Sequence, residues 1–434
     1  MSHEAALRAA VPEDVAELMG ELRATGFAAY VVGGAIRDTL AGRAPADWDL
    51  ATDATPDQLR SAFPDAQYEN RFGTVGIPTS VGVREVTTFR ADGPSSDARR
   101  PDAITFLGAI EGDLARRDFT INAMAFGVPS GAHGDPVASG SLVDPFGGAA
   151  DLAAGLLRAV GDPGERFRED ALRMLRAARF ATRFSLTIEP ATAAAIRRDA
   201  ALVATLSGER VGAEIEGILA AENPSPGLHV LNELGLTAQI ASELHAAWVT
   251  ELPTRVAAIG ATGSPDAPDP IGRLAELLAV ITDDAVAEKI LTAWRRPRAT
   301  LHAVAALRAI DRSASAAERG EIDAAAYRIA TAAQSGDPLD AARQLRRRIA
   351  AGRATPAAAT LLALCERDDE QQIPALVGDL AADGGEIIAA INEQPGAWVK
   401  PLLEELLQEV AHGRVENRHD ALVAAAKQLH EKQR

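Results

Sequence analysis

Val31-Val32-Gly33-Gly34-Ala35-Ile36-Arg37-Asp38, followed by Ala46-Asp47-Trp48-Asp49-Leu50, decides how this chain is read. Ala28 to Val32 is a short apolar run that suits a strand, and Ala35 to Leu40 suits a helix opening after it. The glycine pair between them lets the backbone approach something bulky and anionic. Asp47 and Asp49 are two apart, so on a strand both carboxylates aim the same way. Two anionic side chains held together need a counter-charge, and beside phosphates the usual one is magnesium. Each piece alone is common at ordinary turns. In close succession they imply metal-assisted phosphoryl chemistry, with magnesium ions beside an attacking hydroxyl and beside a triphosphate with its leaving pyrophosphate. Glu85, in the run Val83 to Phe89, supplies a third acidic group if the strands pair, and equally suits an edge-strand charge.

Around this core, residues 6 to 26 read as one helix ending near Gly26, and Thr55-Pro56-Asp57 starts another. Gly73 to Pro78 and Val81 to Phe89 read as strands. Gly93-Pro94-Ser95-Ser96 marks a loop between Arg90 and Leu107. From about residue 112 the chain is expected to turn helical, with brief exceptions at Leu156 to Val160 and Ser185 to Ile188. A linker is expected at Gly260 to Pro270, and Trp398 to Gln408 is an amphipathic helix candidate.

The 434 residues allow two to four domains and a sizeable core. Abundant alanine with only 4% aromatics favours helices that meet through small side chains. No apolar run is long enough for a membrane span, and Met1-Ser2-His3-Glu4 lacks the start of a signal peptide. Cys365 is the only cysteine, so no internal disulfide or thiolate cluster can form, and a reducing cytoplasm fits best. The net charge of −17 argues against broad electrostatic capture of nucleic acid. Locally the balance reverses, with ten arginines against seven acidic residues between Arg158 and Arg210. Shorter clusters occur at Arg99-Arg100, Arg116-Arg117, Arg295-Arg296-Pro297-Arg298 and Arg346-Arg347-Arg348.

Two further clusters carry chemistry. In Arg116-Arg117-Asp118-Phe119-Thr120-Ile121-Asn122-Ala123 the arginines suit triphosphate oxygens. Asp118 and Asn122, four apart, share a face if the segment is helical and can meet sugar hydroxyls; Asp118 suits a helix cap as well. In Glu169-Asp170-Ala171-Leu172-Arg173-Met174-Leu175-Arg176, Glu169, Arg173 and Arg176 follow one another by single helical turns. A carboxylate accepts from an exocyclic amine and a guanidinium donates to a ring nitrogen or carbonyl, so one Asp–Arg pair can read adenine or cytosine. The same residues also suit a salt-bridged surface helix.

These clusters, in this order, resemble the class II tRNA nucleotidyltransferase and bacterial poly(A) polymerase family. The matching pieces are Val32 to Asp38, Asp47-Trp48-Asp49-Leu50-Ala51-Thr52-Asp53, Arg116 to Ala123, Asp144-Pro145-Phe146-Gly147-Gly148 and Glu169 to Arg173. Ser207-Gly208-Glu209-Arg210, with Glu214 beyond, is similar to the family's neck signature. Residues 379 to 417 resemble the tail of Gram-positive-type CCA-adding enzymes: Asp379-Leu380-Ala381, a glycine pair, Pro395-Gly396-Ala397-Trp398-Val399 and Gly413-Arg414-Val415-Glu416-Asn417. Residues 240 to 370 add little beyond helicity.

The resemblance implies an α+β fold: a small polymerase-β-type mixed-sheet nucleotidyltransferase head over 1–150, then an all-helical neck (151–220), body (221–330) and tail (331–434). It implies that Asp47 and Asp49 bind magnesium and carry catalysis. Gly33, Gly34 and Arg37 would lie beside the incoming triphosphate, and Arg117, Asp118 and Asn122 would handle the ribose and the change from C to A addition. Asp170 and Arg173 would pair with the base in place of a nucleic-acid template, with Glu169 positioning the arginine. Arg176 and Arg179 would support that pocket or meet RNA. The implied reaction is addition of CMP, CMP and AMP to tRNA 3′ ends from CTP and ATP, with poly(A) synthesis or C-only or A-only addition as the alternatives. The acidic balance and the tail favour tRNA. No protein partner is evident, and the scattered histidines, His419-Asp420 included, offer no phosphohydrolase site.

Overall fold

In the computed structural model, residues 2–68, 73–92, 104–262, 269–350 and 352–433 are described here. The expected loop at Gly93 to Ser96, Arg99-Arg100 and much of the expected linker near 260–270 lie outside them. The chain divides into two compact units, residues 1–246 and 247–434.

The first unit is built on a seven-stranded mixed sheet. Its strands are β1 (Ala29–Val32), β2 (Leu50–Thr52), β3 (Gln67–Tyr68), β4 (Thr74–Thr79) and β5 (Gly82–Thr88). After a separate hairpin of β6 (Arg90–Asp92) and β7 (Ile104–Phe106), β8 (Ala125–Val128) and β9 (Ser141–Val143) return to it. The order is β3-β4-β5-β2-β1-β8-β9, with β2 and β5 parallel and every other neighbouring pair antiparallel. β1 is central, and all four of its residues are buried.

Alternation along the strands gives the sheet two faces. Ala29, Val31, Leu50, Val75, Ile77, Val86, Phe126 and Val128 join one core with Leu7, Leu18, Met19, Leu22, Ile36 and Leu59 from the helices. Tyr30, Val32, Ala51 and Ala125 face the other way, against Phe89, Ile110, Leu114 and Val160. Position 49 alternates with Leu50 and therefore falls on this second side.

Several sequence expectations are corrected. The first helix is two, His3–Ala10 and Glu13–Ala24, because Val11 and Pro12 are extended and proline cannot donate within a helix. The chain does not turn helical at 112, since β8 and β9 extend the sheet beyond the basic motif. Residues 118–122 are not an α-helix; only Thr120–Asn122 form a 3-10 turn, with Phe119 rather than Asp118 at its N-cap position and no side-chain cap. Glu169 and Arg173 do not share one helix. The helix Pro163–Glu169 stops at an extended Asp170, and Leu172–Phe184 starts afresh. Gly260 and Ala261 close the helix Ser242–Ala261 rather than opening a linker.

Other expectations hold. Thr55 caps the helix Pro56–Ala62 in a reciprocal box with Gln58. Leu156–Leu157 (β10) pairs in parallel with Thr187–Ile188 (β11). The helix Leu172–Phe184 packs against Gly208–Leu219 and Ser225–Glu233, and a Cβ on Gly227 would lie 2.1 Å from Thr182 Oγ1.

The second unit is helical throughout its described residues. One core gathers Tyr327, Ala341, Leu345, Leu361 and Cys365, and another Leu380, Ile387, Leu402, Leu406 and Leu422. Asn417 ties the two tail motifs together, accepting from Ala381 N at 2.8 Å and donating to Asp379 O at 3.0 Å. No helix among the described residues is long and apolar enough to cross a membrane.

The Asp144 to Gly148 motif has a mechanical role. Asp144 accepts from Gly148 N at 2.7 Å and Ala149 N at 2.9 Å, and a Cβ on Gly148 would fall 2.1 Å from Thr120 O. Gly148→Ala should therefore displace the Thr120 turn and destabilise the protein by about 2 kcal/mol, the scale of overpacking in a tight interior. Urea unfolding monitored by circular dichroism checks this through a lowered midpoint.

Candidate active site

Asp47 and Asp49 precede β2 rather than lying in it, but Asp49 O already accepts from Val32 N at 3.0 Å, which extends the ladder to that residue. Both are open to solvent while Trp48 between them is buried, so the tryptophan anchors the segment and turns the aspartates outward. Surrounding protein raises the Asp49 carboxyl above its ordinary value, with Asp47 adding to the rise and Arg117 opposing it. The pair and Arg117 thus share one local field. Hard oxygen donors paired in this way fit a divalent magnesium site. Glu85 is exposed on β5, where the parallel register Leu50↔Val86 sets it alongside Asp49 on the second side of the sheet. Among the described residues, no group of three or more His, Cys, Asp or Glu side chains is arranged to hold a metal.

Gly33 adopts a left-handed conformation with φ +66°, and its N–H is committed to Met124 O at 3.0 Å. A Cβ there would stand 2.4 Å from Arg117 Nη1, so glycine is what lets this guanidinium lie against the turn. Arg117 also donates to Asn122 O at 3.3 Å and to the buried Asp113 at 3.3 Å. On the other side of the turn, a Cβ on Gly34 would lie 3.7 Å from Arg37 Nη2. The two arginines expected at the triphosphate therefore flank the glycine pair.

Arg37 is buried. It donates to Asp38 Oδ1 through Nε (2.8 Å) and Nη2 (2.6 Å), and to Asn122 Oδ1 through Nη1 (2.6 Å). Asn122 in turn donates from Nδ2 to Asp118 Oδ1 at 2.9 Å. That same oxygen accepts from Phe119 N, while Asp118 Oδ2 accepts from Arg176 Nε at 2.7 Å. Burial pushes the Asp118 carboxyl up, but Arg176 and Asn122 overcome it and hold the group at about 2. Asp118 and Asn122 are thus brought together as expected, although by a 3-10 turn rather than a shared helical face.

The residues expected to read the base, Asp170 and Arg173, are each held by a different side-chain partner. Glu169 accepts from Arg173 at 2.7 Å and is ion-paired with Arg166 at 2.5 Å. Arg173 donates further to Arg166 O at 3.0 Å and Arg116 O at 2.9 Å, joining the Leu172–Phe184 helix to the basic motif. Both oxygens of Asp170 accept from Arg210 Nη2, at 3.0 and 2.7 Å. Arg179 lies apart from this cluster, paired with Glu214 at 2.6 Å.

Sequence reasoning quoted Asp38, Arg210 and Glu214 only within motifs and passed over Asp113, Arg183, Phe180 and Phe184. Asp113 anchors both Arg116 and Arg117, and Arg183 reaches Asp38 at 3.2 Å. The available signal was arginine at 173, 176, 179 and 183 with phenylalanine at 180 and 184, a stripe that keeps returning to one helical side.

A model of the poly(A) polymerase head domain matches residues 29–158. One for a "Probable RNA and SrmB-binding site of polymerase A" matches 185–247, and one for tRNA nucleotidyltransferase domain 2 matches 273–426. The CCA-adding enzyme of Geobacillus thermodenitrificans is 33% identical over 423 residues, covering 94% of each chain. That of Lactiplantibacillus plantarum is 33% identical over 420 residues, again 94% of each. This chain belongs to the CCA-adding tRNA nucleotidyltransferase family. A crystal structure of the Bacillus stearothermophilus CCA-adding enzyme in complex with CTP superposes with a TM-score of 0.74 at 28% identity, covering 97% of this chain and 98% of that one. Its family membership thus runs through head, neck and helical remainder alike.

The Asp118 carboxyl gives a stability prediction. Its folded value near 2 lies below the roughly 3.9 of an unfolded aspartate, so it stabilises the fold above about pH 4 by about 2 kcal/mol. That contribution is lost as pH falls from 4 through 2. Asp118→Asn should be less stable at pH 7 and show a shallower loss across this window. Urea midpoints at pH 7, 4, 3 and 2 compare the two.

Proposed function

We propose that this chain adds CMP, CMP and then AMP to tRNA 3′ ends from CTP and ATP, without a nucleic-acid template. The observation that carries this reading is the convergence of four parts on the Arg116 to Asn122 segment. These are the Asp47–Asp49 pair, the Gly33-Gly34 turn flanked by Arg37 and Arg117, the Asp118–Asn122 link, and the helix bearing Arg173.

In the reaction the terminal 3′-hydroxyl of the RNA attacks the α-phosphate, and pyrophosphate leaves. Asp47 and Asp49 would hold magnesium, which would supply charge to lower the hydroxyl's pKa and neutralise the α-phosphate. Arg37 and Arg117 grip triphosphate oxygens beside a turn that glycine keeps low. Glu85 supports the carboxylate pair from the adjoining strand. Asp118 and Asn122 set the ribose side of the pocket.

Asp170 and Arg173 present an acceptor and a donor to the base, matching the amine and ring nitrogen common to cytosine and adenine. Glu169 holds Arg173 in place, and Arg176 and Arg179 brace the same helix. Arg210 holds Asp170 by both oxygens, so base reading exchanges one hydrogen-bond partner for another instead of exposing a bare carboxylate. The tail, fastened by Asn417, grips tRNA by its fixed shape, as a chain with net charge −17 needs more than general phosphate attraction.

Incubation with magnesium, CTP and ATP of tRNAs ending before CCA, after C and after CC tests the reading. Completion to CCA and arrest there is expected, with a generic RNA left unextended. C-only or A-only extension, or long A tails on both RNAs, would overturn it. In the same assay Asp49→Asn should lower the rate by at least about a thousandfold while leaving the circular dichroism spectrum unchanged. Arg173→Ala should lose discrimination among the four nucleotides more than it loses magnesium dependence. Unchanged C and A selectivity would remove Arg173 from base reading.

A further inference from the structure

Phe180 and Phe184 lie one turn apart on the Leu172–Phe184 helix, with their rings stacked at 6.3 Å between centroids and 29° between planes. Five arginines gather on them. Arg37 lies over both, its guanidinium carbon 5.1 Å from the Phe180 centroid and 4.5 Å from that of Phe184. Arg176 and Arg179 lie over Phe180 at 5.0 and 4.8 Å, and Arg43 and Arg183 over Phe184 at 5.0 and 5.3 Å. Such contacts occur on average about once in 70–80 residues, so six on two rings is a concentration.

Three carboxylates, Asp38, Asp118 and Glu214, balance part of this charge, and the negative ring faces attract the remainder. The arrangement has a consequence for Arg37. A guanidinium carries five N–H donors in one plane. Asp38 takes two of them and Asn122 one, leaving one on Nη1 and one on Nη2. Nη2 is the atom that stands beside Gly34. The in-plane bonds fix where the group sits, and the ring faces fix the tilt of its plane. With both set, the two remaining donors are held in fixed directions.

We propose that Phe180 and Phe184 are positioning residues that hold the Arg37 guanidinium for the incoming triphosphate, an inference that rests on the nucleotidyl-transfer reading of the site. They sit on the helix that also carries Arg173, so the phosphate-side arginine is registered to the same rigid element as the base-reading one. Arg43 and Arg183 complete the stack, Arg183 by holding the second oxygen of Asp38.

The test compares KM and kcat for CTP and ATP in wild type, Phe184→Leu, Phe180→Leu and the corresponding tyrosine variants. Leucine keeps apolar bulk but removes the ring face, whereas tyrosine keeps the face. Each leucine variant should raise KM for CTP and ATP alike by about tenfold, with kcat changed less than about threefold and C-versus-A selectivity retained. Tyrosine should restore near-wild-type KM. In an Arg37→Gln background, Phe184→Leu should add no further rise.

Unchanged KM in the leucine variants, or an equal further rise in both backgrounds, would overturn the proposal. Phe184 is only partly buried, so its leucine variant tests the idea even if Phe180→Leu fails to fold. Equilibrium dialysis of CTP with the same variants separates the two readings. A wild-type protein that binds CTP but does not extend tRNA sinks the proposed reaction and leaves this inference standing on binding alone.

Discussion

The site depends on one buried carboxylate. Asp118 accepts three hydrogen bonds, from Phe119 N at 2.8 Å, Asn122 Nδ2 at 2.9 Å and Arg176 Nε at 2.7 Å, and Arg176 Nη2 adds an ion-pair contact at 2.7 Å. Through Asn122 it fixes Arg37 beside the glycine turn, and through Arg176 it fixes the helix that carries Arg173. An ionised aspartate this deeply buried is tolerable because both oxygens accept hydrogen bonds and a guanidinium cancels its charge. Removal of one partner leaves the other charge buried, which makes the arrangement all-or-none and keeps the proposed phosphate side and base side in register.

The sheet extends that logic. β1 is buried on both faces, and β2 beside it ends its lead-in on Asp49, so the carboxylates emerge where two fully buried strands begin to pair. The helical neck supplies charge that the sheet cannot. Arginines from it reach back to Asp118, Asp38, Arg116 O and, from Arg166, Ala115 O at 3.2 Å. Many of these cations are spent on internal carboxylates and carbonyls. A strongly acidic protein can therefore carry an arginine-dense segment without becoming a general nucleic-acid trap.

Much of this was legible in the sequence, for local reasons. Strand β1, the glycine turn and its helix follow from apolar runs and backbone freedom, and Thr55-Pro56 announces its helix through capping chemistry. The aspartate pair, Arg117, Asn122 and Arg173 were identifiable because family motifs are short and contiguous. What was not legible is decided by partners far along the chain. β8 and β9 are short and find their place only in the sheet, β8 beside β1 and β9 beside β8, where the sequence reading expected helix. The break at Asp170 is set by Arg210, forty residues on, and by the Asp170 carboxylate accepting from Leu172 N at 3.0 Å. The Phe180–Phe184 stack went unremarked, since nothing local shows that Arg37 will lie across it.

The most direct test of the central linkage is a double-mutant cycle between Asp118 and Arg176, read as equilibrium affinity for CTP and for ATP. If Asp118 acts by joining the two halves of the pocket, Asp118→Asn, Arg176→Gln and the combined variant should weaken both nucleotides by a similar factor, a non-additive cycle. Additive losses, or full nucleotide affinity in Asp118→Asn, would contradict the account.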